Sequence, residues 1–271
     1  MADPAGLTLV ALGTAGAYRT HEGSRASGYL VRRGADAVAL DLGHGAYAPL
    51  AASLGIAGLP RIGAVAISHL HPDHWVDLAA LRHALVHGSG MGQPGDGRRM
   101  RVIGPAGLAE RLAAILDVRS PEEQAGAAPA PTPQPFDFGT WRDGATHVGG
   151  LELRPTPVRH AGESYALRVA ATGAPGLVYS GDLSHWEDLL PLISPGDVLL
   201  CEAALGDAPW DEGSTHVGAE GAARAAHAGD ASALLLTHLG AEVDPDAAAA
   251  AAARIYAGPI RVLREGDELG L

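Results

Sequence analysis

The chain has a single cysteine, Cys201, among 271 residues. It can form no internal disulfide, which fits a reducing compartment. Aromatic residues make up only 4%, and alanine and glycine dominate, a bias that reads as GC-rich genomic composition more than as function. Basic residues are few: 19 Lys and Arg stand against 31 Asp and Glu, a formal charge of −12. Such a chain lacks the broad basic surface that long nucleic acids need for counterion release. A small substrate docking on a metal is still allowed, because a bound cation inverts the local charge. No apolar run approaches the roughly 20 residues of a membrane span, and Met1-Ala2-Asp3-Pro4 does not open a secretory signal. The expectation is a cytoplasmic protein with no membrane partner. A hydrophobic content of 47% and a charged content of 18% suit a globular chain, and 271 residues suffice for one large domain, taken as 1–271.

What is present is an alternation of short strands and helices. Leu7 to Leu12, Ser27 to Val31 and Ala37 to Asp41 read as strands joined by Gly-rich turns. Residues 46 to 56 have helical spacing, and Ala64 to Ser68 is a short apolar strand. Trp75 to Val86 reads as a helix, Met100 to Gly104 as a strand, and Pro105 to Leu116 as a helix with Pro at its first position. From Ser120 to Pro135 the chain is rich in Pro and Ala and reads as a mobile loop or surface cover. Strands are expected near 151–158, 164–170, 176–180, 197–201, 232–237 and 259–264, with helices at 217–228 and 245–257. No period of 20–50 residues repeats. The pattern predicts an α/β fold in which two mixed sheets pack face to face with helices on both outer sides, a four-layer αββα sandwich.

The chemistry is concentrated in His69-Leu70-His71-Pro72-Asp73-His74. In an extended segment, residues two apart point to the same side, so His69 and His71 would project together. Pro72 cannot continue a sheet interior and turns the chain. Asp73 and His74 would then sit where the next helix begins, aimed back at the same pocket. Three further ligand-type residues follow strands: His160 after Leu151–Val158, Asp182 in Tyr179-Ser180-Gly181-Asp182, and His238 after the apolar run Ala233–Thr237. Each lies at the C-terminal end of a strand, where loops gather in α/β folds.

In these motifs, together with Leu12-Gly13-Thr14 and Asp41-x-Gly43, the chain resembles the metallo-β-lactamase-fold superfamily. The resemblance implies that His69, His71 and His160 hold one metal. Asp73, His74 and His238 would hold a second, and Asp182 would bridge the two. Zinc suits such imidazole and carboxylate ligands, with manganese or iron as alternatives. Two cations of this kind lower the pKa of a bridging water and clamp the attacking and leaving oxygens. Asp73 would orient that water or take its proton.

Ser214-Thr215-His216-Val217-Gly218-Ala219-Glu220 is similar to the His-containing helix start of ribonuclease Z and related cyclic-nucleotide phosphodiesterases. The resemblance gives His216 the role of stabilising the phosphoryl group or protonating the leaving oxygen. The 22 positions between His160 and Asp182 leave room for two strands and turns but not for a tRNA-gripping arm. Tyr179 also stands where ribonuclease Z carries an acidic residue. The expected reaction is therefore hydrolysis of a small nucleotide phosphodiester, cyclic or linear. Hydrolysis of a lactone or β-lactam, ribonuclease Z-like RNA processing and a non-catalytic metal or ligand carrier stay open, as does a homodimer. Weaker candidates are His44 at the pocket, Arg19, Arg25 and Arg159 as phosphate contacts, Trp75, Trp186 and Trp210 as pocket walls, and Ser180 and Thr237 as partners of the ligands. Cys201 is expected to be a buried thiol, and His21, His83, His87, His147 and His185 ordinary surface or packing residues.

Overall fold

The structure is a computed structural model, and it describes residues 6–17, 23–93, 95–119 and 134–271. Arg19, His21 and the Pro/Ala-rich residues 120–133 lie outside the described residues.

Two seven-stranded sheets pack face to face. The first contains β1 (Thr8–Gly13), β2 (Gly28–Arg33), β3 (Asp36–Leu42), β4 (Ala64–Ala66), β5 (Met100–Gly104), β6 (Phe136–Thr140) and β14 (Glu268–Gly270), in the order β14-β1-β2-β3-β4-β5-β6. The second contains β7 (Thr146–Val148), β8 (Leu151–Pro157), β9 (Tyr165–Ala171), β10 (Gly176–Tyr179), β11 (Val198–Glu202), β12 (Ala233–Thr237) and β13 (Ile260–Val262), in the order β13-β12-β11-β10-β9-β8-β7. Both sheets are mixed. In the first, β3 to β6 run parallel and the β14-β1-β2-β3 side is antiparallel. In the second, β10 to β13 run parallel and β7 to β10 antiparallel.

The period of two along the strands explains the layering. In β3, Val38 and Leu40 face the other sheet while Ala37 and Ala39 face helices; in β12, Leu235 faces the other sheet while Leu234 and Leu236 face helices. Helices α1 (Tyr47–Leu54), α2 (Leu78–His83) and α3 (Leu108–Leu116) cover the first sheet. Helices α4 (Ala219–Ala228) and α5 (Pro245–Ala253) cover the second. Alanine fills the buried positions of α4 and α5, so these helices lie close on their sheet. This is the αββα sandwich expected from the sequence.

Local departures have physical causes. β4 ends at Ala66, and the cluster that follows is not carried on a helix: Pro72–His74 form one short 3-10 turn, and α2 begins only at Leu78. The helix expected over Trp75–Val86 is α2 continued by a π-helical turn, Ala84–Gly88. Pro105 stands outside α3, because Gly107 takes the left-handed φ of 88° just ahead of it. The strands β6, β7 and β14 were not among those expected; they are short and lie at or near sheet edges.

Gly43 shows how the first sheet meets the cluster. A Cβ built there falls 1.8 Å from the Asp73 carbonyl oxygen and 2.8 Å from the Ala26 Cβ. Only glycine lets the 72–74 turn lie on the end of β3, which accounts for the Asp41-x-Gly43 spacing. Gly43→Ala is expected to cost about 1–3 kcal/mol of stability. Denaturant unfolding checks this, and an unchanged midpoint would refute the close-approach argument.

Candidate metal centre and its neighbouring dyad

All seven candidate ligands converge at one end of the sandwich, where parallel strands of both sheets terminate. His69 and His71 follow β4, His160 follows β8, Asp182 follows β10, and His238 directly follows β12. Asp182 is at the centre. Its Oδ2 lies 3.3 Å from His74 Nε2, 3.4 Å from His238 Nε2, 3.7 Å from His69 Nε2 and 3.8 Å from His160 Nε2. Among the described residues three groups of candidate ligand atoms result, the third formed by Asp182, His216 and His238. His69, His71, His160 and Asp182 bring ligand atoms together on one side, and Asp73, His74 and His238 do so on the other.

The donor set fits divalent cations. A tetrahedral ion with ligands at 2.0–2.1 Å places them about 3.3–3.4 Å apart. The His71 Nδ1 to His160 Nε2 separation is 3.2 Å, and the His74 and His238 separations from Asp182 are 3.3 and 3.4 Å. Three buried polar atoms at the centre, His69 Nε2, His74 Nε2 and Asp182 Oδ1, have no hydrogen-bond partner. Atoms of that kind are costly to bury unless something else engages them.

The second nitrogen of most of these histidines is engaged outward, which leaves the other to face inward. His74 Nδ1 donates to Asp41 Oδ2 at 2.7 Å, and His160 Nδ1 donates to the Thr215 carbonyl at 2.8 Å. His238 Nδ1 meets Ser27 Oγ at 2.9 Å, and His69 Nδ1 meets Ser68 Oγ at 3.1 Å. Burial holds His69 well below the usual imidazole range, and it lowers His160 and His238, the last to about 4. These three are therefore neutral at neutral pH, the form that ligates metal. Burial acts the same way on His74, but Asp182 and Asp41 outweigh it and raise its pKa. Burial would raise Asp182, yet the surrounding imidazoles, His238 and His74 first, hold it well below the carboxylate range.

His216 stands in the turn before α4, not in the helix itself, whose N-cap is Gly218. Its Nδ1 donates to Glu202 Oε1 at 2.9 Å and lies 3.9 Å from Asp182 Oδ2. Burial opposes its protonation, but Glu202 and Asp182 prevail and lift its pKa to about 9. Burial raises the Glu202 carboxyl, with His216 pulling the other way, to about 7. The sequence alone does not single out Glu202. At the end of β11 it looks like any strand-terminal carboxylate, and its partner is 14 residues away. Its oxygens also accept from Leu183 N and Ala204 N. Glu202→Gln is expected to leave the metal content intact and lower kcat about 10- to 100-fold by removing the charge that favours protonated His216. Wild-type kcat in that variant would remove Glu202 from the site's machinery.

A pocket of about 570 Å³ opens over the cluster, lined by His44, His71, Asp73, Asp182, His216 and His238 together with small residues such as Gly16, Ala204 and Gly240. His44 therefore lies at the pocket, and its main chain accepts from Ala26 N. The tryptophans do not wall this pocket. Trp75 is buried beneath the first sheet's helices and donates to the Leu70 carbonyl, while Trp186 and Trp210 line a separate cavity beside α4. Arg159 is taken up by a two-pronged ion pair with Asp188. Ser180 bonds the Gly181 carbonyl and Glu202 N, and Thr237 bonds Tyr29; neither bonds a candidate ligand through its side chain. Cys201 is buried, which pushes its thiol pKa up and makes it a poor nucleophile. His83 and His87 pair on the exposed side of α2 and its π turn.

The β9–β10 hairpin fills the interval between His160 and Asp182, as the short spacing required. Among the described residues, no helix is long and apolar enough to cross a membrane.

Comparison with known proteins agrees with this geometry. Residues 38–239 match the family model described as a β-lactamase superfamily domain. An uncharacterised protein of Mycobacterium leprae is 30% identical over 256 residues, covering 90% of this chain and 82% of that protein. The crystal structure of the metallo-β-lactamase fold protein YhfI from Bacillus subtilis superposes with a TM-score of 0.81 at 21% identity, covering 98% of this chain and 100% of YhfI. The short form of human tRNase Z superposes with a TM-score of 0.69 at 18% identity, covering 97% of this chain and 98% of that one. The chain belongs to the metallo-β-lactamase superfamily of metallo-hydrolases, with the ribonuclease Z-like branch among its structural neighbours.

Proposed function

We propose that the protein is a two-metal phosphodiesterase acting on a small nucleotide, cyclic or linear. The observation that carries this reading is the pairing of buried Glu202 with half-buried His216 beside the candidate metal cluster. His69, His71, His160 and Asp182 would hold one cation, and Asp73, His74, His238 and Asp182 the other. Zinc is the proposed ion, with manganese or iron able to use the same donors. When bound, the pair supplies an activated water and neutralises charge on the phosphoryl oxygens.

The chain's own residues do the rest. Asp73 is buried at the floor of the pocket, where it can orient the attacking water and accept its proton. His216 offers its Nε2 to the pocket, because Glu202 occupies Nδ1. A protonated His216 stabilises the phosphoryl charge and passes a proton to the departing alkoxide, which matters when that alcohol is a poor leaving group. The pocket volume falls in the range used for small-molecule ligands. A formal charge of −12 works against long nucleic acids.

The test is a substrate panel on metal-loaded protein: bis-p-nitrophenyl phosphate, 2′,3′- and 3′,5′-cyclic nucleotides, a lactone and a β-lactam. Turnover of the phosphodiesters is expected. Turnover of the lactone or β-lactam alone would overturn the reading, and no turnover of any ester would favour a carrier.

A further inference from the structure

Two tyrosines meet in the space between the sheets. Tyr29 leaves β2 of the first sheet, and its hydroxyl lies 2.6 Å from Thr237 Oγ1 at the end of β12 in the second. Tyr179 leaves β10 of the second sheet, and its hydroxyl donates to Asp41 Oδ2, near the end of β3 in the first, at 2.6 Å. The rings are 5.1 Å apart and tilted by 55°, and both side chains are fully buried. The two bonds are crossed: each sheet reaches over and holds a strand end of the other. Phenylalanine would fill the same space without a hydroxyl that must find a partner.

The partners of these hydroxyls lead to the same group of ligands. Asp41 Oδ2 also accepts from His74 Nδ1 and Ser68 Oγ, and Oδ1 accepts from Ser68 N, all at 2.7 Å. Thr237 directly precedes His238, whose Nδ1 is held by Ser27 Oγ, two residues before Tyr29. Asp41 and His238 adopt φ of 55° and 54°. Non-glycine residues keep that conformation only where their surroundings enforce it. His74 and His238 belong with Asp73 to one of the ligand groups. The His69–His71–His160 group is held from loops. His160 is bonded to the Thr215 carbonyl, and His71 is exposed at the pocket mouth. Asp41 reaches His69 only through Ser68, whose Oγ meets His69 Nδ1 at a longer 3.1 Å.

We propose that Tyr29 and Tyr179 are positioning residues for the metal position formed by Asp73, His74 and His238, and that they set its affinity separately from that of the His69–His71–His160 position. The inference rests on the two-metal part of the reading above and not on the substrate. Tyr179 fixes the carboxylate that orients His74. Tyr29 fixes the strand end from which His238 turns into the site. Removing either hydroxyl loosens the support behind a ligand ring without changing any ligand or its own hydrogen bond.

Stepwise metal titration tests this. Metal-free wild type, Tyr29→Phe and Tyr179→Phe are titrated with Co2+ in competition with a chelating dye, and the cobalt absorption bands are recorded at each step. Each variant is expected to weaken one of the two binding steps about 10- to 100-fold while the other changes by less than about twofold. The cobalt bands of the weakened step should shift. Thr237→Val, which removes the other end of the Tyr29 bond, should weaken the same step. The double variant Tyr29→Phe/Thr237→Val should then be no weaker than either single change. Equal weakening of both steps, unchanged affinities at both, or additive losses in the double variant would overturn the proposal. A wild type that binds one metal fails the two-metal reading and the proposal together. Two metals in the wild type with no selective loss in the variants fails the proposal alone.

Discussion

Asp182→Ala is expected to lower kcat/KM for phosphodiesters by about 10³-fold or more, roughly 4 kcal/mol of transition-state stabilisation, while the chain still folds. Asp182 Oδ2 is within 4 Å of five imidazoles: those of His69, His74, His160, His216 and His238. Among the described residues, no other carboxylate lies between the His69–His71–His160 group and the His74–His238 group. Without it the two metal positions lose their shared ligand, and the buried histidines lose their central counter-charge. The metal content per chain should fall below two. Elemental analysis beside steady-state kinetics checks both parts. Wild-type turnover with two retained metals would exclude Asp182 as the bridging ligand.

His216→Asn should lower turnover of substrates with a poor alcohol leaving group, such as a cyclic nucleotide, by about 10²- to 10⁴-fold, the usual range for loss of a general acid. The same change should cost less than about tenfold with a nitrophenyl ester, whose phenol leaves as an anion without a proton. The contrast separates proton donation from simple binding, because a residue that only binds phosphate would lose the same factor on both substrates. His216 is suited to donate: Glu202 holds its Nδ1 at 2.9 Å and its pKa is raised to about 9. Equal losses on the two substrates would assign His216 to charge stabilisation alone, and no loss on either would remove it from the reaction.

The seven residues that converge here were legible in the sequence for a local reason. They lie in the loops that follow strands, and strand ends in a two-sheet α/β fold gather at one edge. Short apolar runs such as Ala64–Ala66 and Ala233–Thr237 therefore carried the position of the site along with the fold. What was not legible depends on contacts across the sandwich. Glu202 meets His216 only because the chain after β11 folds back before α4. Tyr29 and Tyr179 look like ordinary strand aromatics until the two sheets are superimposed. Tyr179 had been noted only for not being acidic; the structure gives it Asp41 as partner. Trp186 and Trp210 lie close to site residues in sequence, yet their side chains face another cavity. Sequence proximity cannot specify that direction. The strands β6, β7 and β14 escaped detection because their short segments, Phe136–Thr140, Thr146–Val148 and Glu268–Gly270, carry polar residues or glycine and no continuous apolar run.

The most direct test of the account is phosphodiester turnover measured while metal-free protein is titrated with Zn2+ or Mn2+. The account predicts no turnover without metal and a rise that saturates at two equivalents per chain. Full activity without metal, or saturation at one equivalent, would contradict it.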